Sequence, residues 1–121
     1  MYRVTTQLHF DSAHYLRGYD GPCSKMHGHR FTVRLYLSGE YLDCNGILVD
    51  FKGIKQVAKE IIDEFDHEIL NDHPPFDTIN PTAENIAWYF YSQLINPYSR
   101  FIEKVRVYES PDSYAEYFAK E

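Results

Sequence analysis

The chain has 121 residues, of which 44% are hydrophobic and 25% charged, a composition typical of one folded domain and not of a disordered or membrane-spanning chain. The net charge is −6, which argues against nucleic acid as the main partner. The N-terminus lacks the apolar core of a secretory signal and the chain has two cysteines, so we expect one cytoplasmic domain over residues 1–121, with no membrane partner.

The first half of the chain carries strand patterns. Apolar and polar residues alternate over residues 2–15 and again over residues 29–42, the period-two pattern of half-buried strands. Residues 16–28 between them contain three glycines and a proline, which predicts a long irregular loop. An Asn-Gly pair at 45–46 is a hairpin turn signal, after which residues 47–49 are expected to return briefly as a strand.

Two helices are predicted in the middle of the chain. Asp50 is the expected N-cap of the first, because an apolar stripe at helical spacing follows it from Ile54 to Phe65. Asn80 is the expected cap of the second, with Pro81 at its first helical position. The paired prolines between the two stripes separate the helices.

The end of the chain returns to strand patterns. Residues 101–110 alternate as a third strand and residues 114–118 predict a short fourth, so the element order is ββααββ. Hairpin-paired strands with adjacent helices predict an α+β fold, an antiparallel sheet with both helices on one face. The other face and the sheet edges would then stay uncovered, which favours a homo-oligomer.

The strongest chemical signal is a His-Gly-His motif at residues 27–29. His27 and His29 point to the same side of an extended segment and make half of a tetrahedral metal site, although two ordinary loop or core histidines are the alternative. His14 lies at the strand end nearest this motif. His9 lies about 17 Å deeper and on the other face. Three histidines with an open fourth position are typical of catalytic zinc.

Four further residues are candidates for chemistry. Cys23, four residues before the motif, is either a fourth metal ligand or a reactive thiol beside the metal. Asp66 and His67 are adjacent, and a carboxylate can orient an imidazole as an acid or base, although such pairs are common by chance. Glu109 is of interest only if it faces a pocket, where a carboxylate can accept two hydrogen bonds from a guanidine-like edge.

Five segments resemble the 6-pyruvoyltetrahydropterin synthase family in their order and spacing, over nearly the whole chain. They read HFDSAHYL, CSKMHGHRF, FDHEILND, NPTAENIAWY and VYESPDSYAEY. Three residues separate Cys23 from the His-Gly-His motif, as in the 6-carboxytetrahydropterin synthases of queuosine biosynthesis, whereas the pyruvoyl branch usually has a longer insertion there. Within the family the chain is therefore most similar to the carboxy branch.

The resemblance implies a tunnelling fold, in which the sheets of several subunits join into a barrel in a trimer or hexamer. It also implies a Zn²⁺ cofactor and a set of site residues. These are the zinc ligands His14, His27 and His29, the catalytic residues Cys23, Asp66 and His67, and the substrate-binding residues Glu109 and, more weakly, Thr82.

The reaction implied by the resemblance converts 7,8-dihydroneopterin triphosphate to 6-carboxy-5,6,7,8-tetrahydropterin and releases acetaldehyde and triphosphate. Two alternatives stay open. One is a 6-pyruvoyltetrahydropterin synthase, which releases only triphosphate. The other is a non-catalytic zinc- or pterin-binding protein in which Cys23 closes the metal site. Residues 1–38 contain five basic and two acidic residues, which favours an anion there, although solvated surface charge explains the excess equally well.

Overall fold

The computed structural model describes residues 1–119, which form four strands and two α-helices in the predicted order ββααββ. The elements are β1 (Tyr2–His14), β2 (His27–Gly39), α1 (Phe51–Ile62), α2 (Ala83–Leu94), β3 (Ile102–Ser110) and β4 (Ser113–Tyr117). The strands make one antiparallel sheet in the order β1-β2-β3-β4. The α+β prediction is therefore confirmed. Within residues 1–119, neither helix is long and apolar enough to span a membrane.

Both helices pack on the same face of the sheet and share its core. Phe10 of β1 stacks on Phe31 of β2 with ring centroids 5.0 Å apart, and it also meets Phe90 of α2 at 6.2 Å. Burying one such side chain stabilises the fold by about 1.5–3 kcal/mol. Aromatic packing therefore fastens the hairpin to α2, near the C-terminal end of β1 and the N-terminal end of β2.

The opposite face of the sheet has no helix over it within residues 1–119, as predicted. It carries polar, charged and tyrosine side chains, among them Gln7, Arg34 and Tyr108. Within residues 1–119, the outer edge of β1 makes backbone hydrogen bonds only near its C-terminal end. There the Asp11 carbonyl accepts from the His67 N–H, and the Ala13 N–H donates to the Glu68 carbonyl. Among the residues that the structure describes, most of that edge and the outer edge of β4 have no strand partner, the condition that favours strand pairing with another copy.

The start of α2 differs from the prediction. Thr82 is the N-cap, because its hydroxyl accepts a hydrogen bond from the Asn85 N–H at 3.1 Å, and the helix begins after it and not at Pro81. Asn80 was the wrong choice of cap. Its side-chain amide is already used, accepting from the Arg17 N–H at 2.8 Å and donating to the Arg17 carbonyl at 2.9 Å.

The segment before α1 confirms one prediction and corrects another. Asp50 caps α1 as expected, since its carboxylate accepts from the Lys52 N–H at 3.2 Å. The Asn-Gly pair forms a turn in which Gly46 has φ 81°, a conformation that favours glycine. The return strand over residues 47–49 was wrong. Asp43 binds the backbone N–H and carbonyl of Ile47, which closes a local loop and leaves no strand to pair.

Candidate functional site

The pairing of β1 with β2 brings the three predicted histidines together. The register places His14 opposite His27 and Ser12 opposite His29. β2 begins at His27, two residues earlier than predicted, so the whole His-Gly-His motif lies in the strand and not in the loop. All three histidines project to the helix side of the sheet. Their ring centroids are 4.5, 4.7 and 5.1 Å apart.

The histidine rings are oriented by backbone carbonyls. The Nδ1 atom of His14 lies 2.7 Å from the Pro81 carbonyl, and the Nδ1 atom of His27 lies 2.7 Å from the Lys25 carbonyl. A carbonyl only accepts, so each Nδ1 carries the proton and each Nε2 keeps its lone pair. One nitrogen from each of His14, His27 and His29 lies within 4.8 Å of the others. Metal-binding histidines are typically held in this way.

Burial prepares two of these histidines for a metal. His14 is 1% exposed, and burial lowers the pKa of both His14 and His29, which favours neutral imidazoles. The Nε2 atoms of both are buried and have no hydrogen-bond partner among residues 1–119. Leaving a buried polar atom unpaired costs about 1–3 kcal/mol. A zinc ion would use these lone pairs, so the residues present fit the metal that the sequence predicted.

Glu109 lies beside the histidines and faces a pocket, the condition under which the sequence made it a candidate for binding. It shares the core-facing side of β3 with Val105 and Val107, and one of its carboxylate oxygens is 4.0 Å from His14 Nε2. A cavity of about 580 Å³ is lined by both His29 and Glu109. The Glu109 carboxylate and the histidine cluster thus face the same space.

Asp66 and His67 form a pair held by the peptide of Asp11. The carboxylate of Asp66 lies 3.1 Å from His67 Nδ1 and accepts from the Asp11 N–H at 2.9 Å. That backbone hydrogen bond lowers the pKa of Asp66 and keeps it charged. His67 has φ 61°, an unfavourable conformation for a non-glycine residue, and its N–H donates to the Asp11 carbonyl at 2.6 Å. Asp66 can therefore orient the His67 imidazole for proton transfer.

This pair lies apart from the three histidines within one chain. The two groups form separate clusters, one made of the histidines and one of Asp11, Asp66 and His67. His67 is 78% exposed and lies at the outer edge of β1. A cavity of about 670 Å³ is lined by both His29 and His67, so His67 faces the space next to the three histidines.

Cys23 lies in the loop before β2, in a single 3-10 turn formed by residues Pro22–Ser24. Its carbonyl accepts from the Leu16 N–H at 2.8 Å, which fastens this loop to the end of β1. The thiol is not part of the group of ligand atoms formed by the histidines within residues 1–119. Cys44 is exposed on a separate loop.

Thr82 follows the proline whose carbonyl orients His14, so it adjoins the cluster. Its hydroxyl caps α2 and still has a proton to donate. Sequence reasoning missed the backbone partners of the site, which are the carbonyls of Lys25 and Pro81 and the peptide of Asp11. No side-chain pattern signals a backbone carbonyl. The Asn-Pro-Thr segment was interpreted as a helix start and, through the resemblance, as a weaker substrate contact at Thr82, but not as the source of the carbonyl that orients His14.

The chain is similar to known proteins over nearly its whole length. The family model described as 6-pyruvoyl tetrahydropterin synthase matches residues 3–120. A Bacillus subtilis protein named 6-carboxy-5,6,7,8-tetrahydropterin synthase is 32% identical over 130 residues, covering 98% of this chain and 86% of its own length. A Rickettsia felis protein of the same name is 31% identical over 137 residues, covering 96% of this chain and 99% of its own length.

The fold agrees as well. The solved structure of Caenorhabditis elegans 6-pyruvoyl tetrahydropterin synthase has a TM-score of 0.85 to this chain at 27% identity, and the match covers 99% of this chain and 98% of that one. The resemblance drawn from the five sequence segments is thereby confirmed. The chain belongs to the 6-pyruvoyl tetrahydropterin synthase family of enzymes.

Proposed function

We propose that the chain is a zinc-dependent lyase of queuosine (7-deazapurine) biosynthesis. It converts 7,8-dihydroneopterin triphosphate and water to 6-carboxy-5,6,7,8-tetrahydropterin, acetaldehyde and triphosphate. The observation that carries the proposal is the 4.0 Å approach of the Glu109 carboxylate to His14 Nε2. A group suited to the guanidine-like edge of a pterin thus stands beside a group suited to a metal.

Each site residue has a role in this proposal. A zinc ion held by the three histidines supplies Lewis-acid chemistry for the hydroxyl groups of the substrate side chain. Cys23, as thiolate, moves a proton on the side-chain carbons. His67, oriented by Asp66, is the second acid–base group. Glu109 accepts hydrogen bonds from the N2/N3 edge of the pterin, and Thr82 is a weaker contact to it.

The second candidate is the pyruvoyl reaction on the same fold, which eliminates triphosphate without cleaving a carbon–carbon bond. The likeness to the Caenorhabditis elegans enzyme favours it. The three-residue spacing after Cys23 and the names of the Bacillus and Rickettsia relatives favour the carboxy reaction. A non-catalytic protein with a closed zinc site is the least supported, because Cys23 lies outside the ligand group.

We also propose that the sheets of several copies join into a barrel, in a trimer or hexamer, with the pterin as the partner and not nucleic acid or membrane. The uncovered sheet face and the strand edges of β1 and β4 support this assembly. His67, exposed at the β1 edge, would then lie at a subunit boundary. A cytoplasmic location is consistent with two unpaired cysteines.

The reaction itself is tested by product analysis. The zinc-loaded protein is incubated with 7,8-dihydroneopterin triphosphate, and the products are identified by mass spectrometry with a separate assay for acetaldehyde. We expect one acetaldehyde for each triphosphate released and a 6-carboxy pterin. A 6-pyruvoyl product without acetaldehyde would assign the chain to the second candidate, and no release of triphosphate would exclude both reactions.

The metal site is tested by zinc content. His27→Ala and His29→Ala are expected to lose most bound zinc on dialysis, because two remaining imidazoles rarely hold zinc tightly. His9→Ala is the matched control. It removes a histidine from the other face of β1, where His9 Nδ1 lies 3.0 Å from the Thr32 hydroxyl, and it should keep stoichiometric zinc. Full zinc retention by either triad variant contradicts the proposal.

The role of Cys23 is tested by separating turnover from metal binding. Cys23→Ala should keep its zinc and its circular dichroism spectrum while turnover falls by about 10²–10⁴-fold, the usual effect of removing a positioned acid–base group. Cys44→Ala, which removes an exposed thiol on another loop, should leave turnover unchanged. If Cys23→Ala loses zinc, the thiol is a ligand and the proposed proton transfer is wrong.

The assembly is tested by light scattering at micromolar concentration. We expect a mass of three or six chains of 14.3 kDa each, because the strand edges of this sheet are open to pairing. A monomer would contradict the barrel and would leave Asp66 and His67 at an edge that no second copy covers.

A further inference from the structure

The cavity that contains Glu109 and His29 continues onto the uncovered face of the sheet. At one end its walls are these two residues, which belong to the proposed metal and pterin site. At the other end they are polar residues of the first two strands, Gln7, Thr32 and Arg34. A ligand bound at the proposed site therefore has room to extend along β2.

Most cations on this sheet face are neutralised by a carboxylate. Arg3 pairs with Glu103 at 2.7 Å. Lys104 and Arg106 share Glu116, at 3.2 Å and 2.7 Å. None of these three cations lines the cavity, and each has a carboxylate partner within the sheet.

Arg34 is different. Its only side-chain hydrogen bond within residues 1–119 goes to the Gln7 amide oxygen at 3.1 Å, and it makes no ion pair there. The β2–β3 register places it directly opposite Arg106. Like charges directly opposite each other are destabilising, and here Glu116 pairs with Arg106 and Lys104 but not with Arg34. Arg34 thus lines a cavity opposite a like charge and has no carboxylate partner among residues 1–119. This unbalanced charge points to an anionic ligand.

The neighbours of Arg34 extend the donor surface toward the metal site. Arg30, Thr32 and Arg34 alternate along one face of β2, a row roughly 13 Å long that begins next to His29. Arg30 is 68% exposed, and its bonds to Asp11 at 3.1 and 3.3 Å leave further N–H groups to donate. Such a row matches an extended ligand with several anionic groups.

We propose that Arg30, Thr32 and Arg34 bind the triphosphate group of the substrate, with Arg34 supplying the main charge. The inference rests on the proposed function, which makes the substrate a pterin triphosphate. Arginine donors suit phosphate oxygens because the guanidinium fork forms paired, charge-assisted hydrogen bonds. The row also gives a chain of net charge −6 a local place for a strongly anionic group.

The first test titrates the zinc-loaded protein with inorganic triphosphate by calorimetry at fixed, low ionic strength. Arg34→Gln is expected to weaken binding about tenfold or more, as is usual for loss of a charge-assisted contact. Arg3→Gln is the matched control. It removes one positive charge from the same sheet face but outside the cavity, and it should bind as the unmodified chain does. Equal binding by Arg34→Gln and the unmodified chain overturns the proposal.

The second test asks whether the row serves the substrate or a free polyphosphate. Arg34→Gln should raise KM for 7,8-dihydroneopterin triphosphate about tenfold, while 7,8-dihydroneopterin without phosphates binds both proteins equally. Weaker triphosphate binding with an unchanged KM would assign the row to a free polyphosphate and overturn its role in substrate binding. If the unmodified chain shows no turnover, the proposed function fails, and the triphosphate titration still decides whether the row binds polyphosphate.

A second variant protects this test against a folding defect. Arg34→Lys keeps the charge but loses the planar fork, and we expect its affinity for inorganic triphosphate to lie between those of the unmodified chain and Arg34→Gln. Zinc content and circular dichroism should match the unmodified chain in each variant. Should Arg34→Gln not fold, undiminished triphosphate binding by a folded double variant, Arg30→Gln with Arg34→Lys, overturns the proposal.

Discussion

The antiparallel register of β1 and β2 is the constraint on which the candidate site depends. It sets His14 opposite His27 and carries His29 onto the same face. A slip of one residue would turn the side chains of a strand to the other face and separate the ligands. The register is held by the core, since Phe10 lies opposite Phe31 and the two rings stack. The residues that build the core therefore also place the proposed metal ligands.

The cluster is built at a cost that a metal would offset. Two buried imidazole nitrogens have no partner among residues 1–119, and both belong to the cluster. Backbone carbonyls from two separate segments, Lys25 and Pro81, fix the tautomers of His27 and His14. Because only the folded hairpin brings these ligands together, metal binding would stabilise the folded chain over the unfolded one.

The architecture was predictable from the sequence because it follows from periodicity. The alternation in the strands and the apolar stripes of the helices indicated the α+β order and the uncovered face, which the structure confirms. The convergence of the histidines was also predictable. The i, i+2 rule fixed His27 and His29, and the position of His14 at a strand end fixed the third.

Long-range contacts were not predictable in the same way. Asn80 was expected to cap α2, but its amide binds Arg17, 63 residues away. The opposition of Arg34 and Arg106 depends on a register that no local pattern of either strand contains. The position of the Asp66 and His67 pair at the β1 edge depends on the Asp11 peptide, whose hydrogen bonds carry no side-chain signature.

The central claim is that the β1–β2 hairpin holds zinc through three histidines and leaves Cys23 free. X-ray absorption at the zinc edge, measured on the complete zinc-loaded protein, tests it most directly. The account predicts three nitrogen ligands at about 2.0–2.1 Å, with the remaining coordination from oxygen. A sulfur ligand at about 2.3 Å would make Cys23 or Cys44 part of the site and contradict the account.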